Sequence, residues 1–399
     1  MSEILKEAFS LSDYLRSCRR KLHCAAETGF ELSETIAFVE DELRAMGIEF
    51  VRCGRAGISA IIGKGEGECF LLRADMDALP IEEETALPFA SPRAFHGCGH
   101  DMHTAMLLGA AKLLKKREKE LRGKVKLMFQ SAEEILEGAK DMLSAGILRS
   151  PDVGGAMMLH VLTASELPTG SIIVPAAGIC APGADFFSIE FRGKGCHGAA
   201  PDQGTDPIGA AVTFTGLFWR IKASELGMME QAALSLGSID CGSAANVIPE
   251  KAVLKGSIRA MEDSVREKIK VRMREIANGV AAATKTEAKL EFGRGCPAFL
   301  EDGELASALG VWTRELLGAG KVFKAENFPG GGKSAGSEDF AYVSRAVPSA
   351  MLVLSAGEKD KGFSYPLHHP KADFDEEALP VGAAVLANSA LRWLEERRF

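Results

Sequence analysis

Apolar runs of four or five residues recur along this chain, and each gives way to carboxylate or imidazole side chains. Cys69 to Leu72 runs into Arg73-Ala-Asp75-Met-Asp77-Ala-Leu-Pro80. Val125 to Phe129 runs into Gln130-Ser-Ala-Glu133-Glu134, and Ala156 to Leu159 into His160; beyond Met351 to Leu354 stand His368 and His369. In open α/β sheets the ligand crevice lies beyond the carboxyl ends of the strands. Each residue alone has a bland explanation. Aspartates form Asx turns, and paired glutamates suit a helix N-terminus. Their shared position at strand ends predicts an α/β sheet with a centre for one or two metal ions along one edge.

The stretch Phe95-His-Gly-Cys-Gly-His-Asp-Met-His-Thr104 supplies further ligands, holding three of the chain's eight histidines. Read as extended backbone, Cys98 and His100 face one point, and Gly97 and Gly99 allow a tight turn around it. Thiolate, imidazole and carboxylate are the groups that hold zinc or a similar divalent ion. The bland alternative is a glycine loop with a buried cysteine and surface histidines. No second Cys/His pair follows at finger spacing, which argues against a structural zinc knuckle. From Met102 to Lys116 the apolar spacing predicts a helix.

At 399 residues the chain exceeds one ordinary core, so two domains are expected. Hydrophobic content of 46% and charged content of 26% describe a globular protein. A net charge of -8 without a large basic cluster argues against nucleic acid or an anionic membrane as partner. Nine scattered cysteines, none in a CxxC pair, read as reduced thiols. With no signal-like N-terminus and no run of transmembrane length, the expected location is cytoplasmic.

Residues 183–294 follow a different rhythm, strand, helix, strand, strand, helix, strand, with Val265, Ile269, Met273, Ile276 and Val280 in helical register. That βαββαβ order is the ferredoxin-like sandwich. The flanking segments, 1–182 and 295–399, together form the metal-bearing domain, so one domain is inserted into another and the two connections permit a hinge. Gly332-Lys-Ser-Ala-Gly336 matches the nucleophile elbow of serine hydrolases, but Asn327-Phe-Pro-Gly-Gly-Gly cannot be the strand such an elbow needs. A phosphate-binding loop fails there for the same reason. A glycine-rich loop beside an active site remains the better reading.

These segments resemble a known family over nearly the whole chain. Arg73-Ala-Asp-Met-Asp-Ala-Leu-Pro, His96-Gly-Cys-Gly-His-Asp-Met-His and Gln130-Ser-Ala-Glu-Glu are similar to motifs of the metal-dependent amidohydrolases. That family includes hippurate hydrolase, N-acetylamino acid deacetylases and plant auxin–amino acid conjugate hydrolases, relatives of aminoacylase and carboxypeptidase G. Gly193-Lys-Gly-Cys-His197-Gly-Ala-Ala-Pro, Asn246-Val-Ile-Pro, Gly336-Ser-Glu-Asp-Phe and His368-His-Pro continue the match in order. The resemblance implies a zinc-peptidase-like α/β catalytic domain with an inserted ferredoxin-like lid, and a homodimer or higher homo-oligomer formed through that lid.

The resemblance further implies two divalent ions per subunit, manganese or zinc, with cobalt and nickel as alternatives. Cys98, His100, Glu134, His160 and His368 would be their ligands, Cys98 as the bridge, with His369 open as an alternative to His368. Glu133 would act as general base and His197 as the oxyanion donor, although a glycine-flanked surface histidine is the plainer account of His197. Asn246, Arg259 and Gly336 would contact substrate. Asp77 or Asp101 would orient ligand histidines. The implied reaction is hydrolysis of the amide bond of a small N-acylated amino acid. A dipeptidase or carboxypeptidase, and a non-catalytic binding protein retaining the fold, are the alternatives.

Overall fold

Four parallel strands, Lys124–Gln130, Cys69–Asp75, Val153–Leu162 and Ser349–Ser355, lie side by side in that order. The structure is a computed structural model and describes residues 2–396. Every residue of Cys69–Asp75 is buried, the pattern of a parallel strand covered on both faces. Gly57–Ile62 and Phe50–Cys53 extend one edge in antiparallel fashion, and Ile172–Val174 with Val322–Lys324 complete the other. The strands run further than their apolar stretches predict. Parallel pairing continues through Arg73↔Met128 and Asp75↔Gln130, and His160 pairs with Val353. Backbone hydrogen bonding is indifferent to side-chain polarity, so Arg73, Asp75 and His160 stand inside the ladder rather than beyond it.

Helix His100–Lys116 is buried at almost every position from His100 to Leu114, the pattern of a core helix with no solvent face. It packs against Leu379–Glu396 and Ser12–Cys24. Trp393 of the last helix stacks on Phe70 of the sheet with ring centroids 4.8 Å apart. The N-terminal region carries three helices, Glu3–Ser10, Ser12–Cys24 and Ser33–Ala45. Among the described residues no helix is long and apolar enough to cross a membrane.

The chain divides into two compact units. One comprises Met1–Cys180, Leu300–Lys333 and Asp339–Phe399; the other comprises Ala181–Phe299 and Ser334–Glu338. The inserted unit therefore begins and ends slightly outside 183–294 and also takes in Ser334–Glu338. Ser337 accepts a hydrogen bond from Arg259 Nη1 at 2.7 Å, a long-range tie that no linear pattern marks. Within that unit the strand order is Ala232–Cys241, Lys251–Ala260, Gly183–Arg192 and Glu287–Cys296, all antiparallel. Helices Pro207–Arg220 and Asp263–Thr284 cover one face, closing a core of Phe187, Phe191, Phe214, Phe218, Ile269 and Met273. This is the ferredoxin-like arrangement.

A buried ion network ties the first unit's N-terminal helices to the start of its core helix. Arg19 and His23, one turn apart on Ser12–Cys24, both reach Asp101 Oδ2, from Nε at 3.1 Å and Nδ1 at 2.8 Å. His23 Nε2 meets Glu83 at 3.1 Å, and Arg19 Nη1 donates to Phe374 O at 3.0 Å. Burial disfavours charge on His23, but its bonds to Asp101 and Glu83 outweigh that and hold its pKa up at about 9. The folded-state value lies above the ordinary 6.5. The stabilisation from His23 is therefore complete below about pH 6.5 and is lost as pH rises through about 9. Thermal unfolding of metal-stripped protein across that range checks this: Tm of the wild type should fall, while that of His23→Gln, already lower at pH 6, should change less.

Candidate metal centre

Gly99 sets the geometry of the Cys98–His100 segment. Its φ is +81°, and a Cβ there would lie 2.4 Å from Val161 Cγ2 and about 3 Å from the Phe374 ring. Only glycine fits. The segment is not extended, as the spacing argument assumed. It turns left-handed at Gly99, and helix begins at His100 itself. His100 Nδ1 donates to the Asp77 carbonyl at 2.7 Å. That bond leaves Nε2 as the atom facing the centre, and Nε2 is buried without a hydrogen-bond partner. An orphaned imidazole nitrogen with its tautomer fixed from behind is what a metal ligand requires. Burial opposes charge on His100, yet Asp75 and the Asp77 bond hold its pKa well above the ordinary value, so protons and a cation compete for this nitrogen.

The two glutamates occupy a tight turn after Lys124–Gln130, not a helix N-terminus. Ala132 has φ +59°, and the next helix starts only at Gly138. The Asp77 carboxylate accepts from Glu133 N at 2.9 Å and Glu134 N at 3.2 Å. Glu134 Oε1 lies 3.9 Å from His100 Nε2 and 3.7 Å from His368 Nε2. Glu133 is buried, and its Oε1 accepts from Asp339 N at 3.4 Å.

His160 donates Nδ1 to the Val161 carbonyl at 2.7 Å, which leaves Nε2 3.7 Å from Cys98 Sγ. His368 adopts φ +66°, its N–H held by Gly97 O at 2.9 Å, and its Nε2 stands 3.3 Å from the same sulfur. Burial lowers the His368 pKa, keeping its lone pair free at neutral pH. His369 turns elsewhere: its Nδ1 accepts from Lys371 N at 3.1 Å and its ring stacks on Tyr365. Of the two histidines, only His368 therefore reaches the cluster.

Three groups of donor atoms, each within 4.8 Å of one another, could hold ions here: Cys98, His100 and His160; Cys98, Glu134 and His368; His100, Glu133 and Glu134. Cys98 belongs to two of them, so its sulfur stands where one thiolate could serve two ions. Burial pushes the free thiol up to about 12, and a neighbouring cation is what would make a thiolate there. The mixed thiolate, imidazole and carboxylate set fits zinc or a similar divalent ion.

One expected role changes, and one residue without an expected role joins the cluster. Asp101 does not orient a ligand histidine. One step along a helix rotates a side chain by about 100°, and Asp101 Oδ2 is held by Arg19 and His23 instead. His103, with Asp75 and His100, forms another group of possible donors. Both of its nitrogens are taken, Nδ1 by Asp75 Oδ1 at 2.5 Å and Nε2 by Val161 N at 2.9 Å. Burial holds its pKa down at about 4, so it stays a neutral brace beneath the ligands. The bond between Asp75 and His103 is the support that sequence reasoning missed. Its signal was the Arg73-Ala-Asp75 alternation, which puts both side chains on one strand face.

His197, Asn246, Arg259 and Gly336 belong to the inserted unit. Strand Cys196–His197 pairs with Val247–Ile248, and Gly198 N donates to Asn246 O at 2.8 Å, which places His197 and Asn246 together. His197 is exposed and its Nδ1 accepts from Ala199 N at 3.0 Å, leaving Nε2 outward. Gly336 N is held by Ser334 Oγ at 2.9 Å, beside the Ser337 that binds Arg259.

Comparison with known proteins matches residues 71–392 to the model of peptidase family M20/M25/M40. The chain is 32% identical over 388 residues to an N-acetylcysteine deacetylase of Bacillus subtilis (strain 168), covering 96% of this chain and 97% of that one. It is 32% identical to the IAA-amino acid hydrolase ILR1-like 4 of Arabidopsis thaliana, covering 96% and 86%. Among solved structures, a dinuclear metal-binding M20 peptidase of Bacillus subtilis superposes with TM-score 0.78 at 31% identity, covering 97% of this chain and 99% of that one. With the family model spanning most of the sequence and these relatives matching nearly end to end, the chain belongs to peptidase family M20/M25/M40.

Proposed function

We propose that this chain is a metal-dependent amidohydrolase that cleaves the linear amide bond of small N-acyl amino acids, releasing a carboxylic acid and a free amino acid. The observation that carries the reading is Cys98, whose sulfur belongs to two overlapping groups of donor atoms with the buried Glu133 beside them. Relatives named for deacetylating N-acetylcysteine and for hydrolysing IAA-amino acids support the substrate class.

Cys98, His100, Glu134, His160 and His368 would hold two divalent ions, zinc or manganese foremost. Bound there, such ions supply Lewis-acid polarisation of a carbonyl and acidify water. Glu133 takes the proton of the attacking water and hands it to the departing nitrogen. That work needs a carboxylate within hydrogen-bond reach and contributes about 10²–10⁴-fold. Asp77 keeps Glu133 and Glu134 side by side through their amides. His197 Nε2 donates to the oxyanion, a contact worth about 3 kcal/mol of barrier. Arg259, Asn246 and the Gly336 backbone receive the substrate carboxylate.

The enzyme acts as a homodimer joined through the inserted unit. Val212 and Trp219 on its helix and Ile239 on its edge strand are more than half exposed, as an unpaired interface would leave them. All nine cysteines are free thiols, which suits a cytoplasmic setting.

The family's peptidase designation favours one further reading, cleavage of small peptides. Assaying hippurate, N-acetylamino acids and dipeptides side by side on metal-reconstituted protein separates the two. The N-acyl substrates should show the higher kcat/KM, and a dipeptide preference would transfer the assignment to the peptidase reading. For the base, Glu133→Gln should keep wild-type metal content while kcat falls about 10²-fold or more. Elemental analysis paired with turnover checks this, and near-normal turnover in the loaded variant would remove Glu133 from the mechanism.

A further inference from the structure

Beneath the Glu133 turn lies a buried set of charges that the mechanism leaves unused. Arg73 is wholly buried in strand Cys69–Asp75. Its Nε donates to Gln130 Oε1 at 3.0 Å, its Nη1 to Asp75 Oδ2 at 2.7 Å and its Nη2 to Asp339 Oδ1 at 3.2 Å. Gln130 Nε2 donates to the same Asp339 Oδ1 at 2.6 Å. Asp339 then acts on the turn at two points. Its Oδ2 accepts from Ala139 N at 2.9 Å, and its own amide donates to Glu133 Oε1 at 3.4 Å.

We propose that Arg73 and Asp339 are positioning residues that hold the Glu133 carboxylate in its working orientation, a role that rests on Glu133 being the base. The turn between Glu133 and Ala139 is gripped at both ends by one aspartate. It also closes so tightly that a Cβ at Gly138 would lie 1.5 Å from Ser131 O. Asp339 is in turn fixed by the planar guanidinium fork of Arg73, which reaches Gln130, Asp75 and Asp339 at once. Lysine, a single point charge, cannot match that geometry. A buried ion pair adds little net stability against an apolar replacement, so a fully buried Asp75–Arg73–Asp339 array is better explained by the geometry it enforces. Asp77 supports the turn from the amides of Glu133 and Glu134. Asp339 supports it from the carboxylate side. A base misplaced by about 1 Å loses about 10²-fold in rate.

The test compares full-length wild type, Asp339→Asn, Arg73→Lys and Glu133→Gln, each metal-reconstituted, by metal content, Tm, and kcat and KM measured separately on one N-acyl amino acid. Asp339→Asn keeps the size and one acceptor of the aspartate. It should bind wild-type amounts of metal with KM within about twofold and kcat lowered about ten- to a hundredfold. Arg73→Lys should show the same split in kcat against KM. Arg73→Lys risks misfolding because it leaves buried carboxylates poorly paired. If neither variant folds, Gln130→Leu, which removes an uncharged link to Asp339, should give the same split in smaller measure. A folded, metal-loaded Asp339→Asn with wild-type kcat overturns the proposal, as does a loss of kcat no larger than the accompanying loss of metal. Inactive Glu133→Gln alongside fully active Asp339→Asn defeats this inference alone, whereas active Glu133→Gln defeats the reading of the base beneath it.

Discussion

Asp77 is the joint on which the centre turns. Its backbone carbonyl fixes the tautomer of His100 at 2.7 Å, and its carboxylate gathers the amides of Glu133 and Glu134 at 2.9 and 3.2 Å. One residue just past the end of one central strand thus aligns an imidazole from the following helix and two carboxylates from the next strand's turn. That is possible because the strands are parallel and adjacent, so their carboxyl ends arrive on the same edge. A chain that had to assemble these groups from unrelated surface loops would lose far more conformational freedom in ordering them.

Charge burial is the second constraint. Arg19, Arg73, Asp75 and Asp101 are all buried, and each would be costly alone. They are tolerated because each meets opposite charge or backbone partners: Arg73 between Asp75 and Asp339, Arg19 against Asp101 and the Phe374 carbonyl. Lys126 follows another route. Buried in the sheet, it donates to the carbonyls of Ile147, Arg149 and Pro151, each at 2.9 Å. These groups explain why a sheet so fully covered can still carry polar residues.

The two units hold their polar side chains differently. In the first unit His160 stands within a sheet strand, and Glu133 and Glu134 lie in the turn just after one. The inserted unit instead presents His197 and Arg259 on short pairings and strand ends, with His197 exposed.

By itself the sequence determined the α/β class, the βαββαβ insertion and nearly every residue of the cluster. Apolar runs ending in Asp75, Asp77, Glu133, Glu134 and His160 can be read from residue type alone, as can a helix such as Asp263–Thr284 with its regular apolar face. Only the tertiary structure decided between His368 and His369, because that choice rests on a left-handed backbone held by Gly97. It also tied Asp101 to Arg19 and His23 and brought Asp339 onto Glu133 across more than two hundred residues of chain. Local patterning reports which face of an element is apolar. Where a polar side chain points is set by hydrogen bonds to partners remote in sequence, and those exist only once the chain has folded.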